Sequence, residues 1–169
     1  MMVFNWREEL RVSQRRLQLL ASQELKSKLN QPVYSLPLDP LLSVPSSCTI
    51  RQAAREFMQN DLHYALVQDT PDTIQGVLRS EAVHAALVSV GTEADRLVIT
   101  NIMDRNICVE PDSATIEEVL NRIAWGGCSC AVLVDSMGRP SSLASPPALL
   151  GWLSELLSDN DERRMVMHG

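Results

Sequence analysis

No stretch of this chain is apolar for long enough to cross a bilayer. The longest apolar runs, such as Cys130 to Val134, fall far short of the ~20 residues that a spanning helix needs, so no transmembrane segment is expected. A secretion signal is not expected either, because the first residues carry arginines and glutamates where an apolar stretch would stand. A soluble, intracellular and most simply cytoplasmic protein is therefore expected. Catalytic signatures are equally scarce. There is no glycine-rich phosphate loop, no nucleophile elbow, no plausible Ser-His-Asp grouping and no histidine-carboxylate metal spacing, so no enzyme is expected. His63 and His84 sit beside apolar faces without a third partner, and His168 lies near the end. Cysteine is sparse too: Cys48, Cys108, Cys128 and Cys130 include one C-x-C, but no second pair and no nearby histidine supply the usual zinc spacing. The four read as reduced residues that fill space, with a metal or redox site as the competing reading.

What is present is an ordinary globular composition. Hydrophobic residues make up 45% and charged residues 21% of 169 positions, enough for one core and incompatible with a disordered or collagen-like chain. Charge is uneven. Residues 1 to 30 hold six basic side chains (Arg7, Arg11, Arg15, Arg16, Lys26, Lys28) against three acids, a net of +3 that leaves −9 on the rest of a chain totalling −6. An acidic body repels phosphate backbones over ~8 Å in physiological salt, so nucleic acid is not an expected partner and only the N-terminal segment could attract an anion.

The chain repeats itself. At an offset of 66 residues and without a gap, Pro45 falls on Pro111, Thr49 on Thr115, Ile50 on Ile116, Ala65 on Ala131, Asp69 on Asp135 and Ala82 on Ala148. The apolar pattern follows, with Ala53, Ala54, Phe57 and Met58 landing on Val119, Leu120, Ile123 and Ala124. The period exceeds the ~20 to 50 residues of solenoid units, which points to two half-domains around one core. Each copy opens with a capping box, Thr49 to Gln52 and Thr115 to Glu118, worth ~1 kcal/mol per cap. The helices that follow bury the i, i+3, i+4, i+7 face. Short apolar strands come next (Tyr64 to Val67, Cys130 to Val134), then turns at Asp69 to Asp72 and Asp135 to Gly138, a second strand at Ile74 to Leu78, and a helix from Ser80 to about Val88. In the second copy Ser145 is the expected N-cap, with Pro146 at the first helical position and Leu149, Leu150, Leu153, Leu156 and Leu157 as the buried face. A short strand is expected around Leu41 to Val44.

Outside the repeat, Val3, Trp6, Leu10, Leu17, Leu20, Leu25 and Leu29 mark an amphipathic helix that ends in the proline-rich connector Pro32 to Pro45. Its apolar stripe must pack on the repeat body, on a second copy or on another protein. Trp6, Leu10, Leu17 and Leu20 are the candidate partner-binding residues. The expected organisation is an N-terminal helix (1–30), two repeat units (31–90 and 91–157) and a loose charged tail (158–169).

Paired β-α-β-β-α units with Pro-x-x-x-Thr-Ile before the first helix (Pro45 to Ile50, Pro111 to Ile116), an aliphatic strand ending in aspartate, and Gly76-Val77-Leu78 resemble a CBS-domain pair, or Bateman module. The likeness covers roughly Pro40 to Leu153, and Ile102-Met103-Asp104 followed by Ile107 to Asp112 is its most typical stretch. The resemblance implies a mixed α/β (α+β) fold with pseudo-twofold symmetry, frequent homodimerisation into a disc, and a regulatory role. Such modules commonly bind AMP, ATP, other adenosyl compounds or metal ions in two clefts.

In such clefts a Gly-hydrophobic-hydrophobic-Thr/Ser-x-x-Asp segment holds phosphate with the hydroxyl and both ribose hydroxyls with the carboxylate. Here the copies read Gly76-Val-Leu-Arg79-Ser-Glu-Ala82 and Ser142-Leu-Ala-Ser145-Pro-Pro-Ala148. Alanine stands at both aspartate positions. At ~1 to 3 kcal/mol for each lost ligand contact, adenosine-nucleotide affinity should fall tenfold or more per site. The candidate binding residues left are Arg79, Ser80 and Ser145, with Arg79 alternatively a solvated rim charge and the serines alternatively helix caps. The expected function is a non-catalytic regulatory or accessory protein that works through protein contacts with weakened nucleotide clefts. The alternative is an adenosyl sensor, with AMP or ATP as ligand, that uses noncanonical contacts.

Overall fold

The computed structural model describes residues 5–19 and 23–168. The N-terminal segment forms helices α1 (Trp6–Leu19) and α2 (Gln23–Leu29). The first unit then runs β1 (Leu42–Val44), α3 (Ile50–Asn60), β2 (Tyr64–Val67), β3 (Gly76–Arg79), α4 (Ser80–Val90), and the second runs β4 (Cys108–Pro111), α5 (Ile116–Ala124), β5 (Ala131–Val134), β6 (Pro140–Ala144), α6 (Pro146–Met167). The expected strand-helix-strand-strand-helix order is thus present twice. In each unit the middle strand pairs parallel with the first and antiparallel with the third, β1-β2-β3 and β4-β5-β6. Both capping boxes are formed, with Thr49 accepting from the Gln52 amide and Thr115 from the Glu118 amide while the residue-52 and residue-118 side chains reach back. Each satisfies two helix-terminal donors that would otherwise lack partners.

Strand alternation divides the core into three. Ala65, Val67 and Leu78 point toward the helices of the first unit, and Ala131, Leu133 and Ala144 toward those of the second. The alternate positions Leu66, Val77, Val132 and Leu143 meet between the sheets, together with Cys130. A period of two residues per strand turn is what lets one short strand serve both layers.

The repeat extends further back than its letters suggest. Gln31 accepts from the Ile116 amide and the Val33 amide donates to Ala114, while Leu97 accepts from Ile50 and Ile99 donates to Cys48. These bonds match at the same offset of 66. Each unit's leading segment therefore lies on the other unit: 31–33 closes the second, and 97–99 closes the first. The segment counted with the first unit in sequence belongs in space to its partner.

Two further expectations are corrected. The tail from residue 158 is not loose, because α6 continues to Met167. No proline or glycine interrupts residues 152 to 167, and Asp161 and Arg163 form ion pairs with Arg16 of α1 and Glu24 of α2. Of the candidate partner-binding residues, Leu10 and Leu17 are not available to another protein either, because the stripe packs on the repeat body, whereas Trp6 is 39% exposed. Leu10, Leu17 and Leu25 are buried in the second unit's core, where α1 lies across α5 and α6. Leu20 lies outside the described residues.

Candidate functional site

The junctions from β3 into α4 and from β6 into α6 face each other across a cavity of about 550 Å³. Arg79, Ser80 and Glu81 come from the first junction, and Ser145 to Ala148 from the second. Arg79 and Ser80, neighbours in sequence, are thus brought to one site with Ser145, 65 residues further on. Behind them stand Tyr64 at the start of β2 and Cys130 just before β5.

Two aspartates complete the lining. Asp104, in the connector to the second unit, exchanges both backbone hydrogen bonds with Val77 of β3 (2.9 and 2.8 Å). Asp39, in the connector to the first, accepts from the Leu143 amide of β6 at 3.3 Å. The pseudo-dyad therefore sets one carboxylate residue beside each third strand. Gly76 permits the first approach: a Cβ there would lie 2.8 Å from the Asp104 carbonyl oxygen. These aspartates escaped the sequence comparison because their spacing is 65, one short of the period, and the residue 66 beyond Asp39 is Arg105. The connectors' antiparallel bridges to β3 and β6 were the signal that would have found them.

Ser145 is 1% exposed and does double duty. Its hydroxyl donates to Asp39 Oδ2 at 2.8 Å and accepts from the Ala148 amide at 3.3 Å, which makes it the expected cap of α6. Ser80 is not a cap. It is the first residue of α4, 8% exposed, and its hydroxyl makes no hydrogen bond among the described residues, although it lines the cavity. Burial pushes the Tyr64 phenol above its ordinary value, against a hydrogen bond with Ser145, while the nearby Asp39 charge adds to the rise. Burial, helped by the charge of Asp104, also pushes the Cys130 thiol up to about 12, so it stays protonated and is a poor nucleophile.

Neither helix start offers a ready anion cradle. A helix N-terminus binds anions through amides that point outward. In α6, Pro146 and Pro147 have no amide hydrogen, and the Ala148 amide is taken by Ser145. In α4, the Ser80 amide donates to His63 and Glu81 adds a negative charge to the first turn. Of the two alanines at the expected carboxylate positions, Ala148 lines the cavity and Ala82 is half-buried outside it.

Helix α1 brings Trp6 to the cavity wall. The arginines behind it are engaged within the chain. Arg7 donates to the Gly127 carbonyl (2.9 Å) and Arg11 to the Ala124 carbonyl (2.7 Å), filling acceptors at and beyond the end of α5. Gln14 bridges Asn121 and the Trp125 indole, and the guanidinium groups of Arg11 and Arg15 lie 4.9 and 5.4 Å from the Trp125 ring centre. Among the described residues no cluster of three or more His, Cys, Asp or Glu could hold a metal, and no helix is long and apolar enough to cross a membrane.

No protein-family model and no curated protein matches the chain. Solved structures do. The CBS-domain region of a hemolysin-like protein from Oenococcus oeni PSU superposes with a TM-score of 0.62 at 16% identity, covering 78% of this chain and 96% of that one. The CBS domain of a bacterial CNNM/CorC family Mg2+ transporter, in complex with ATP, gives 0.62 at 14% identity over 89% and 98% of the two chains. The CBS-pair protein CBSX2 from Arabidopsis thaliana gives 0.58 at 16% identity over 76% and 98%. At these identities the likeness is one of fold: the chain is built as a CBS-domain pair.

Proposed function

We propose, from a CBS-pair fold with an open cleft between its units, that this protein is a non-catalytic regulatory or accessory module whose clefts have lost the grip on adenosine nucleotides. The observation that carries the reading is the pair Ala82 and Ala148, methyl groups where a ribose-binding carboxylate would stand. The proline pair at the start of α6 supports it, since a phosphate there would meet no free amide in the first two positions. The protein then acts through contact with a partner protein or as part of a larger assembly. Because α1 is spent on the second unit, such a contact falls on other surfaces. The helices of the first unit expose Met58 and Val88, at 76% and 86%.

Equilibrium titration with AMP, ADP, ATP and S-adenosylmethionine tests the reading. Binding weaker than millimolar is expected for each, and micromolar binding of any of them would overturn the degenerate-cleft assignment. A second reading, an adenosyl sensor with noncanonical contacts through Arg79, Ser80 and Ser145, is favoured by the cavity itself, which is large enough for a small ligand. Thermal melting separates the two, because a ligand at ~100 times its dissociation constant adds ~2.7 kcal/mol of stability.

A further inference from the structure

The cavity is open, yet its chemistry runs against phosphate. Its lining holds three carboxylates, Asp39, Glu81 and Asp104, against the single guanidinium of Arg79. Both helix starts that face it have their first amides removed or occupied. A polyanion would meet net repulsion with few donors to offset it.

The same lining suits a cation. Among the described residues the Asp39 carboxylate accepts one hydrogen bond, from the Ser145 hydroxyl, and the Asp104 carboxylate one, from the Asn106 amide. An ionised carboxylate offers about four lone-pair sites, so each retains free acceptor capacity. The rings of Trp6 and Tyr64 stand in the same wall, and an aromatic face attracts a desolvated ammonium group. Ser80, a residue 8% exposed on the cavity lining, adds a hydroxyl bonded to nothing among the described residues. A bare metal ion is a poorer fit, because the described residues contain no group of three His, Cys, Asp or Glu close enough to hold one.

We propose that the inter-unit cleft binds an organic ammonium cation, held by Asp39 and Asp104 from the two connectors against the Trp6 ring. The inference goes beyond the loss of nucleotide binding, and assigns to the cleft a ligand class of the opposite charge. It also gives α1 a part in the site: the helix that covers the second unit carries the aromatic wall, so cleft occupancy and α1 docking are linked.

The test is calorimetric titration of the full chain with spermidine and with choline, ATP serving as the anionic arm. Saturable binding of an ammonium probe is expected. Asp39→Asn and Asp104→Asn should each weaken it about tenfold, as expected for a lost bond to a charged group. Arg79→Gln should strengthen it, a change that structural damage would not produce. Asp159→Asn, remote from the cleft, controls for general attraction to an acidic chain and should leave binding unchanged. Absence of saturable binding by both probes overturns the proposal, as does binding indifferent to Asp39, Asp104 and Arg79, or equally sensitive to Asp159. The nucleotide reading is judged separately: micromolar ATP binding would overturn both assignments, whereas failure of the ammonium probes alone leaves the loss of nucleotide binding standing.

Discussion

Replacing Leu10 by alanine distinguishes a helix that completes the second unit from one that merely rests on it. Leu10 and Leu17 are 0% and 2% exposed, set among the helical face of α5 and the leucines of α6. A buried leucine cut to alanine costs about 2 to 5 kcal/mol, through lost burial and the cavity left behind. In a chain of this size each kcal/mol moves the melting point by about 2 to 4 °C, so a loss of ~3 kcal/mol lowers it by about 6 to 12 °C. Two outcomes then separate global from local loss. If α1 unfolds together with the unit, the Leu10→Ala and Leu17→Ala effects add in urea denaturation. If α1 detaches first, the combined loss stops at the free energy of its docking, and the double variant melts with a chain lacking residues 1–19. Val12→Ala, at a position 52% exposed, should stay within about 0.5 kcal/mol of the parent. A Leu10→Ala protein that melts with the Val12→Ala control would refute the placement of α1 and return its stripe to the surface.

Gly76→Ala tests the approach of the connector. The added methyl would meet the Asp104 carbonyl at 2.8 Å and Met103 Sδ at 3.1 Å, displacing the two hydrogen bonds with Val77; at ~1 kcal/mol each, denaturation should show a loss of about 2 kcal/mol, and an unchanged midpoint would mean the connector is not held there. Thiol alkylation in the folded protein at pH 8 should reach half-buried Cys128 first, since burial raises Cys48 and pushes Cys108 and Cys130 to about 12. The unfolded chain releases those protons near the ordinary value of 9.0, so stability should fall as pH rises from there toward 12; equal labelling of all four cysteines in the native state would contradict the assignment.

Much of this architecture could be read from local chemistry. The capping boxes at Thr49 and Thr115, the short aliphatic strands and the Ser145-Pro146 start of α6 are each set by a few neighbouring residues, and each formed where its residues dictate. The site was legible only in part. Arg79, Ser80 and Ser145 fell within the repeated segment, whereas Asp39 and Asp104 lie in connectors whose position depends on pairing with β3 and β6. No local pattern announces a strand partner contributed by the other half of the chain. The tail was misjudged for a related reason. Its charges suggest solvation, but Asp161 and Arg163 find partners on α1 and α2 that only the tertiary arrangement supplies.

The two halves also differ in a way the repeat itself explains. Met58 of α3 and Ala124 of α5 occupy equivalent positions, yet the first is 76% exposed and the second fully buried. Over α5 lies α1, whose Arg11 bonds to the carbonyl of Ala124, and a small residue there admits that close approach. Over α3 no element among the described residues has the same place, and a long, adaptable methionine faces outward instead. A partner or second copy that approached the helical side would therefore meet chemically unlike surfaces on the two units. One carries arginines stacked over Trp125, and the other exposes Met58 and Val88 among polar side chains such as Arg55 and Gln59. Duplication supplied the symmetry of the cleft, and the N-terminal helix, laid over α5 and α6 of the second unit, removes it from the helical side.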